Sequence, residues 1–202
     1  MLKYLRFLHC LLFLTLTLLS FFLGGTYLWT AFIFIIITGF ILDPLFGSNY
    51  EDPEYEMPFI LNLFLYLPLP LVLCISFLFI WYLSPGDPFL LGATLSQEFS
   101  LDLLKHKKNL SFLNALGAFL GLGLVYGVAA TNVAHELIHR IRNKKAVLTG
   151  KFLLGFTCDT SFAIEHVFGH HNKVATLEDP ASARREESSY KFIKRVIIDG
   201  NK

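Results

Sequence analysis

The sequence predicts an all-α integral membrane protein, with about four transmembrane helices and a helical, histidine-rich cap on the cytoplasmic side. Three observations lead there. The 202 residues are 54% hydrophobic and 15% aromatic, with a mean hydropathy of +0.54. Only 16% are charged, against roughly 25% in soluble domains. Five of the seven histidines fall between His135 and His171, directly behind the last long apolar run.

The elements follow in order. Lys3 and Arg6 precede an apolar run at about 7–23. A basic start and an apolar centre resemble a signal peptide. Bulky "SFFLGG" is a poor cleavage site, however, and Gly24-Gly25 leads straight into more apolar sequence, so the run reads as a retained first span. The second span covers about 27–46 and stops at Asp43-Pro44, because proline disfavours helix at the residue before it. A polar, acidic linker, "GSNYEDPEYEMP", follows. The third span covers about 59–83, and Pro68 and Pro70 predict a kink within it. Residues 89–110 mix polar and apolar positions and read as an interfacial piece. The fourth span, about 112–134, carries Gly117, Gly121, Gly123 and Gly127, small residues that let helices approach closely in lipid. Spans of 17–25 residues match the thickness of a bilayer.

Residues 1–145 therefore form the membrane part and 146–202 the cap. Within the cap, about 146–162 reads as a buried or membrane-surface helix, and "SSYKFIKRVI" as an amphipathic one. Arg140, Arg142, Lys144 and Lys145 place the end of the fourth span in the cytoplasm, and Lys3 and Arg6 place the N-terminus there too. Lys105, Lys107 and Lys108 fall on the opposite side and disagree. The net charge of +1 and the absence of a basic stripe imply no nucleic-acid partner. Cys10, Cys74 and Cys158 form no C-x-x-C pair, so neither a disulfide framework nor a thiolate zinc site is expected.

The chemistry lies in two strings, "HELIH" at 135–139 and "EHVFGHH" at 165–171. His135 and His139 are four residues apart, which on a helix puts both imidazoles on one face, able to reach one metal. His166 and His170 repeat that spacing, with His171 about 100° further round. His9 and His106 read as core-satisfied and solvated. H-E-x-x-H is also the signature of a zinc peptidase, in which the glutamate is the general base. Such a site needs only one further ligand, whereas three more histidines are present here. The surplus favours a site for more than one metal, although imidazole suits zinc, copper, iron and nickel alike.

The stretches "NVAHELIHR" and "IEHVFGHHNKVATLEDPASARREESSYKF" resemble the membrane alkane hydroxylases, with the related xylene monooxygenases and, more distantly, the membrane fatty-acid desaturases. That family has H-E-L-x-H, then E-H-x-x-G-H-H, then V-A-T-x-x-D-P-A-S-x-R-x-x-E-S-x-Y-x-F, in this order. The resemblance implies a desaturase-like fold and a di-iron monooxygenase of the bacterial inner membrane. It would insert one oxygen atom of dioxygen into a terminal C–H bond of an alkane or alkyl chain. Electrons would come from rubredoxin or ferredoxin, and the apolar substrate from the bilayer lipid. It assigns His135, His139, His166, His170 and His171 as iron ligands. Glu136 and Glu165 are expected to orient imidazoles. Asp179, Arg184 and Glu187 match the downstream run, where a salt-bridged loop that shapes the cluster is as good a reading as catalysis. Trp29, Phe32, Phe64 and Trp81 are candidates to line a substrate channel, with lipid-facing positions as the alternative.

The family's N-Y-x-E-H-Y-G and R-H-x-x-H-H segments and two further spans have no counterpart here. The chain is therefore expected to be an N-terminal portion of such a protein, completed by a second polypeptide or truncated. The alternatives are a membrane zinc peptidase and a catalytically inactive membrane fragment.

Overall fold

A computed structural model describes residues 2–47 and 54–199. Most of the acidic linker, at 48–53, and the end of the cap, at 200–202, lie outside the described residues. Among the described residues, a short 3-10 turn at Leu2–Phe7 is followed by nine helices: α1 His9–Leu23, α2 Gly25–Leu45, α3 Pro58–Leu83, α4 Leu91–Phe99, α5 Leu103–Lys108, α6 Phe112–Ile138, α7 Lys144–Phe156, α8 at 162–173, and α9 Ser189–Asp199. All the regular structure among the described residues is helical.

Among the described residues, three helices are long and apolar enough to cross a membrane: α2, α3 and α6. The expected first span is shorter than the other three. Helix α1 has 15 residues, about 22 Å at 1.5 Å per residue, where a hydrocarbon core is about 30 Å thick. Gly24 ends it at φ 62° and ψ −167°, a conformation open essentially to glycine alone. A Cβ there would also lie 2.5 Å from the ring of His106. Helix α3 is interrupted by a turn at Leu67, directly before Pro68, where the sequence predicts a kink.

Contacts at the helix ends fix the direction of each span. The Tyr82 hydroxyl at the end of α3 donates to the Phe21 carbonyl near the end of α1 (2.7 Å), so these two run parallel. Trp29, early in α2, lies where a Cβ on Gly117, early in α6, would be, so α2 and α6 run back together. At the other end, Met57 N–H donates to the Tyr4 hydroxyl (2.9 Å), and Arg140 Nη1 donates to Asn62 Oδ1 (2.6 Å). The N-terminal turn, the start of α3 and the end of α6 thus share one face of the bundle. Lys107 is at the opposite end. Its ammonium donates to the Trp81 carbonyl and sits 4.2 Å from the centre of the Trp81 ring, so this lysine is committed to a local structural contact.

The core runs along the inner faces of α1, α3, α6 and α7, where Leu14, Val72, Ile75, Val125, Ala134, Leu137 and Leu153 have no exposed surface. Large apolar side chains on the outer faces, such as Phe40, Ile80 and Phe119, stay exposed, as suits a lipid solvent. Helices in lipid associate through close packing, and small residues permit it. Of the four glycines singled out in α6, Gly117 and Gly121 meet α2, while Gly123 and Gly127 face open space.

Gly150 of α7 packs against the last turns of α6. An added Cβ would lie 2.8 Å from Ile138 Cγ2 and 3.0 Å from the Ala134 carbonyl oxygen. Gly150→Ala is expected to push α7 off the end of α6 and destabilise the protein by roughly 1–3 kcal/mol. Thermal unfolding in detergent measures this, and an unchanged midpoint would contradict the close approach.

Candidate metal centre

Two helix ends bring the histidines together. Helix α6 contains a π-turn at Tyr126–Ala130, after which Thr131–Ile138 is regular α-helix carrying His135; His139 is its cap. In α8 the residues Glu165–His170 form another π-turn. Single π-turns inside helices are often found at functional sites, because the extra residue re-aims the side chains that follow. Here it changes which histidines pair. The spacing predicts that His166 and His170 share a face, whereas the wider turn brings His166 and His171 together, their Nε2 atoms 3.1 Å apart.

Four imidazoles converge as a result. His135 Nε2 lies 2.7 Å from His166 Nε2 and 3.3 Å from His139 Nε2. One nitrogen from each of His135, His139, His166 and His171 lies within 4.8 Å of all the others. Phe162 stacks on His166, with ring centres 4.5 Å apart and an 11° tilt. Burial and the neighbouring imidazoles push His166 down to about 4, so its ring is neutral at physiological pH. A neutral imidazole is the form that binds a metal.

The donor set fits a cation. Metal–imidazole bonds of about 2.1 Å, at angles between octahedral and tetrahedral, separate the nitrogens by about 3.0–3.4 Å. The His135–His139 and His166–His171 pairs, at 3.3 and 3.1 Å, fall in that range, and the His135–His166 pair, at 2.7 Å, is slightly shorter. Nitrogen ligands alone do not choose between iron, copper, zinc and nickel.

His170 stands apart from this group. Its ring turns to Asp179, with Nδ1 2.7 Å from Oδ2. Asp179 is 2% exposed and also accepts from the Ala181 N–H (2.9 Å) and the Ser182 hydroxyl. Burial alone would raise its pKa. The hydrogen bonds from Ser182, Ala181 and His170 outweigh burial and hold the carboxyl below its ordinary value.

The two glutamates expected to orient imidazoles are placed differently. Glu136 accepts from Arg140 Nε (3.2 Å) and Nη2 (3.1 Å), one turn along α6, and so joins the clamp to Asn62. Glu165 is exposed on the wall of a cleft of about 540 Å³, shared with His166, His170 and Asp179. The imidazole-orienting carboxylate of the site is Asp179, eight residues beyond the histidine string.

The downstream run forms the salt-bridged loop. Glu187 takes Arg195 Nε on one oxygen (2.9 Å) and Nη2 on the other (2.7 Å), and its Oε2 also accepts the Arg184 backbone N–H (3.0 Å). Arg195 was not singled out from the sequence, where it reads as one cation in an amphipathic stretch. The Arg195 hydrogen bonds, with that of Arg184, lower Glu187 from its ordinary 4.5 to about 2. A depressed carboxylate stabilises the fold above its unfolded pKa, and this contribution disappears as pH falls through the folded pKa. The protection of the α9 amides against exchange, relative to an unfolded chain at the same pH, is therefore expected to hold down to about pH 4.5 and to fall as pH drops toward 2. Exchange that ignores this window would contradict the pairing.

An apolar pocket of about 500 Å³ opens on the side of the bundle, walled by Phe32, Phe79, Phe119, Tyr126 and Phe156 among others. Of the four aromatic residues considered for a channel, Phe32 lines it. Trp81 is buried with its indole N–H on Asp87 (3.2 Å), and Trp29 packs over Gly117.

Residues 110–201 match the fatty acid desaturase family. Alkane 1-monooxygenase 2 of Pseudomonas aeruginosa is 37% identical over 91 residues, covering 45% of this chain and 24% of the relative. Alkane 1-monooxygenase 1 of the same organism is 43% identical over 82 residues, covering 41% and 21%. Alkane 1-monooxygenase 1 of Alcanivorax borkumensis is 26% identical over 181 residues, covering 86% and 39%. The chain thus spans about a fifth to two fifths of the length of these curated relatives. No solved structure matches.

Proposed function

We propose, from the premise that this chain is a relative of the membrane alkane hydroxylases, that its histidines belong to a di-iron centre for hydroxylating apolar chains at the cytoplasmic face of a bacterial inner membrane. The observation that carries this reading is the convergence of four imidazoles at the mouth of a membrane bundle. Iron held there would use dioxygen and two electrons from rubredoxin or ferredoxin to place one oxygen atom in a terminal C–H bond of an alkyl chain, the other leaving as water.

The residues present have separable tasks. His135 and His139 from α6, and His166 and His171 from α8, supply neutral nitrogen ligands. Asp179 accepts the Nδ1 proton of His170, which leaves Nε2 of that ring available as a fifth ligand. The apolar pocket begins at Tyr126, nine residues before His135, or about 13 Å along a helix. An alkyl chain entering from lipid would lie there, with its end directed to the histidines. The basic residues Lys3, Arg6, Arg140, Arg142, Lys144 and Lys145 support a cytoplasmic face, since the N-terminal turn and the end of α6 share one end of the bundle.

A zinc peptidase is the less favoured reading. Its general base would be Glu136, which is held by Arg140, and its water position is contested by a fourth imidazole.

The test is metal analysis of the protein purified from membranes, followed by incubation with labelled dioxygen, a medium-chain alkane, reduced rubredoxin and its reductase. Iron retention and labelled primary alcohol are expected. Zinc retention with peptide hydrolysis, or no metal at all, overturns the metal assignment. Iron without alcohol overturns the hydroxylase reading alone.

A further inference from the structure

Arg195 lies 25 residues beyond His170, and its one guanidinium makes four hydrogen bonds. Two go to Glu187. The other two go to the Pro180 carbonyl (Nη1, 2.8 Å) and the Ser182 carbonyl (Nη2, 2.9 Å). These carbonyls belong to the turn that starts at Asp179, and Asp179 holds His170. The same turn is closed from the other side by Ala175 N–H donating to the Ser182 hydroxyl (2.8 Å), which itself donates to Asp179. The guanidinium is largely buried, its side chain 12% exposed. A planar fork of five donors can hold a carboxylate and two carbonyls at once, which a lysine ammonium cannot do in the same geometry.

We infer that Arg195 is a positioning residue for the metal centre: it locks the 179–182 turn, so that Asp179 fixes His170 as the Nδ1-protonated tautomer and leaves Nε2 free for a cation. The link runs from α9 through the turn to α8. The orientation of a metal-binding ring is thereby made to depend on a surface helix outside the bundle. This rests on the metal-centre reading only for its purpose, because the tautomer itself is a property of the metal-free protein.

Two-bond nitrogen–proton NMR on histidine-labelled, metal-free protein in nanodiscs reads the tautomer directly. In the parent protein His170 is expected to show one form, protonated at Nδ1. Arg195→Ala is expected to add an Nε2-protonated signal of comparable intensity for His170, with the resonances of His135 and His139 unchanged. Arg195→Lys is expected to fall between the two. A single Nδ1-protonated form in Arg195→Ala, with α9 still helical by circular dichroism, overturns the inference. If α9 unfolds in that variant, Arg195→Lys decides: an unaltered His170 there overturns it, and a mixture supports it. Cobalt titration of the same samples is a separate readout. A parent protein that binds no cobalt defeats the metal reading and leaves the tautomer result to judge Arg195. If cobalt binds, Arg195→Ala is expected to weaken it about 10-fold, in the range for residues that orient ligands.

Discussion

His166→Ala is expected to abolish metal retention while leaving the helices and membrane insertion intact. His166 is the hub of the cluster. Its Nε2 lies beside that of His135 and that of His171, and its ring is near those of His139 and His170 as well. Losing it breaks the link between the pair on α6 and the pair on α8. Each helix alone then offers at most two well-placed nitrogens. An affinity loss beyond about 100-fold is expected, more than the 10–100-fold typical of residues that merely orient ligands. Alanine favours helix, and the ring is only partly buried, so the fold should survive. His106→Ala is the control, because His106 packs on Gly24 at the far end of the bundle. Metal titration and circular dichroism on both variants decide it. Unchanged binding in His166→Ala would end the assignment.

Asp179→Ala is expected to have the second largest effect, a 10–100-fold loss of metal affinity. The carboxylate receives His170 Nδ1, the Ala181 N–H and the Ser182 hydroxyl, and removing it leaves three donors without their acceptor. Each unmet buried donor costs about 1–3 kcal/mol, so the turn should loosen as well. Asp179→Asn keeps an oxygen that can accept from His170, and is expected to retain most of the affinity. Equal losses in the two variants would show that charge matters here, and hydrogen-bond geometry does not.

How far the sequence reaches can be judged residue by residue. The all-helical membrane character was legible because apolar runs of span length have few other uses, and α2, α3 and α6 lie where the runs predict. Helix α1 is shorter because Gly24 adopts a backbone angle that composition cannot reveal. The joining of "HELIH" to "EHVFGHH" was legible from histidine count and spacing, and the structure brings four of the five together. The pairing within the second string was not legible. A regular helix aligns His166 with His170, and the π-turn that aligns His166 with His171 leaves no mark in residue type. The glutamates beside the histidines drew attention by proximity, yet the carboxylate that holds an imidazole is Asp179, brought back by a loop. Arg195 was invisible for the same reason: its partners are two carbonyls and a glutamate, none of which can be read from a helical stripe.

The π-turn of α8 has one more consequence. In coordination terms, α6 and α8 act as two bidentate ligands of unequal bite, one spanning four residues and the other five. Their nitrogen separations differ accordingly, 3.3 Å within α6 and 3.1 Å between His166 and His171. Two identical chelates would build a cage with a symmetry axis and equivalent faces. Unequal ones remove that axis, so one side of the cage differs from the other. The direction from which a small molecule can approach a bound ion is then written into the number of residues between two histidines.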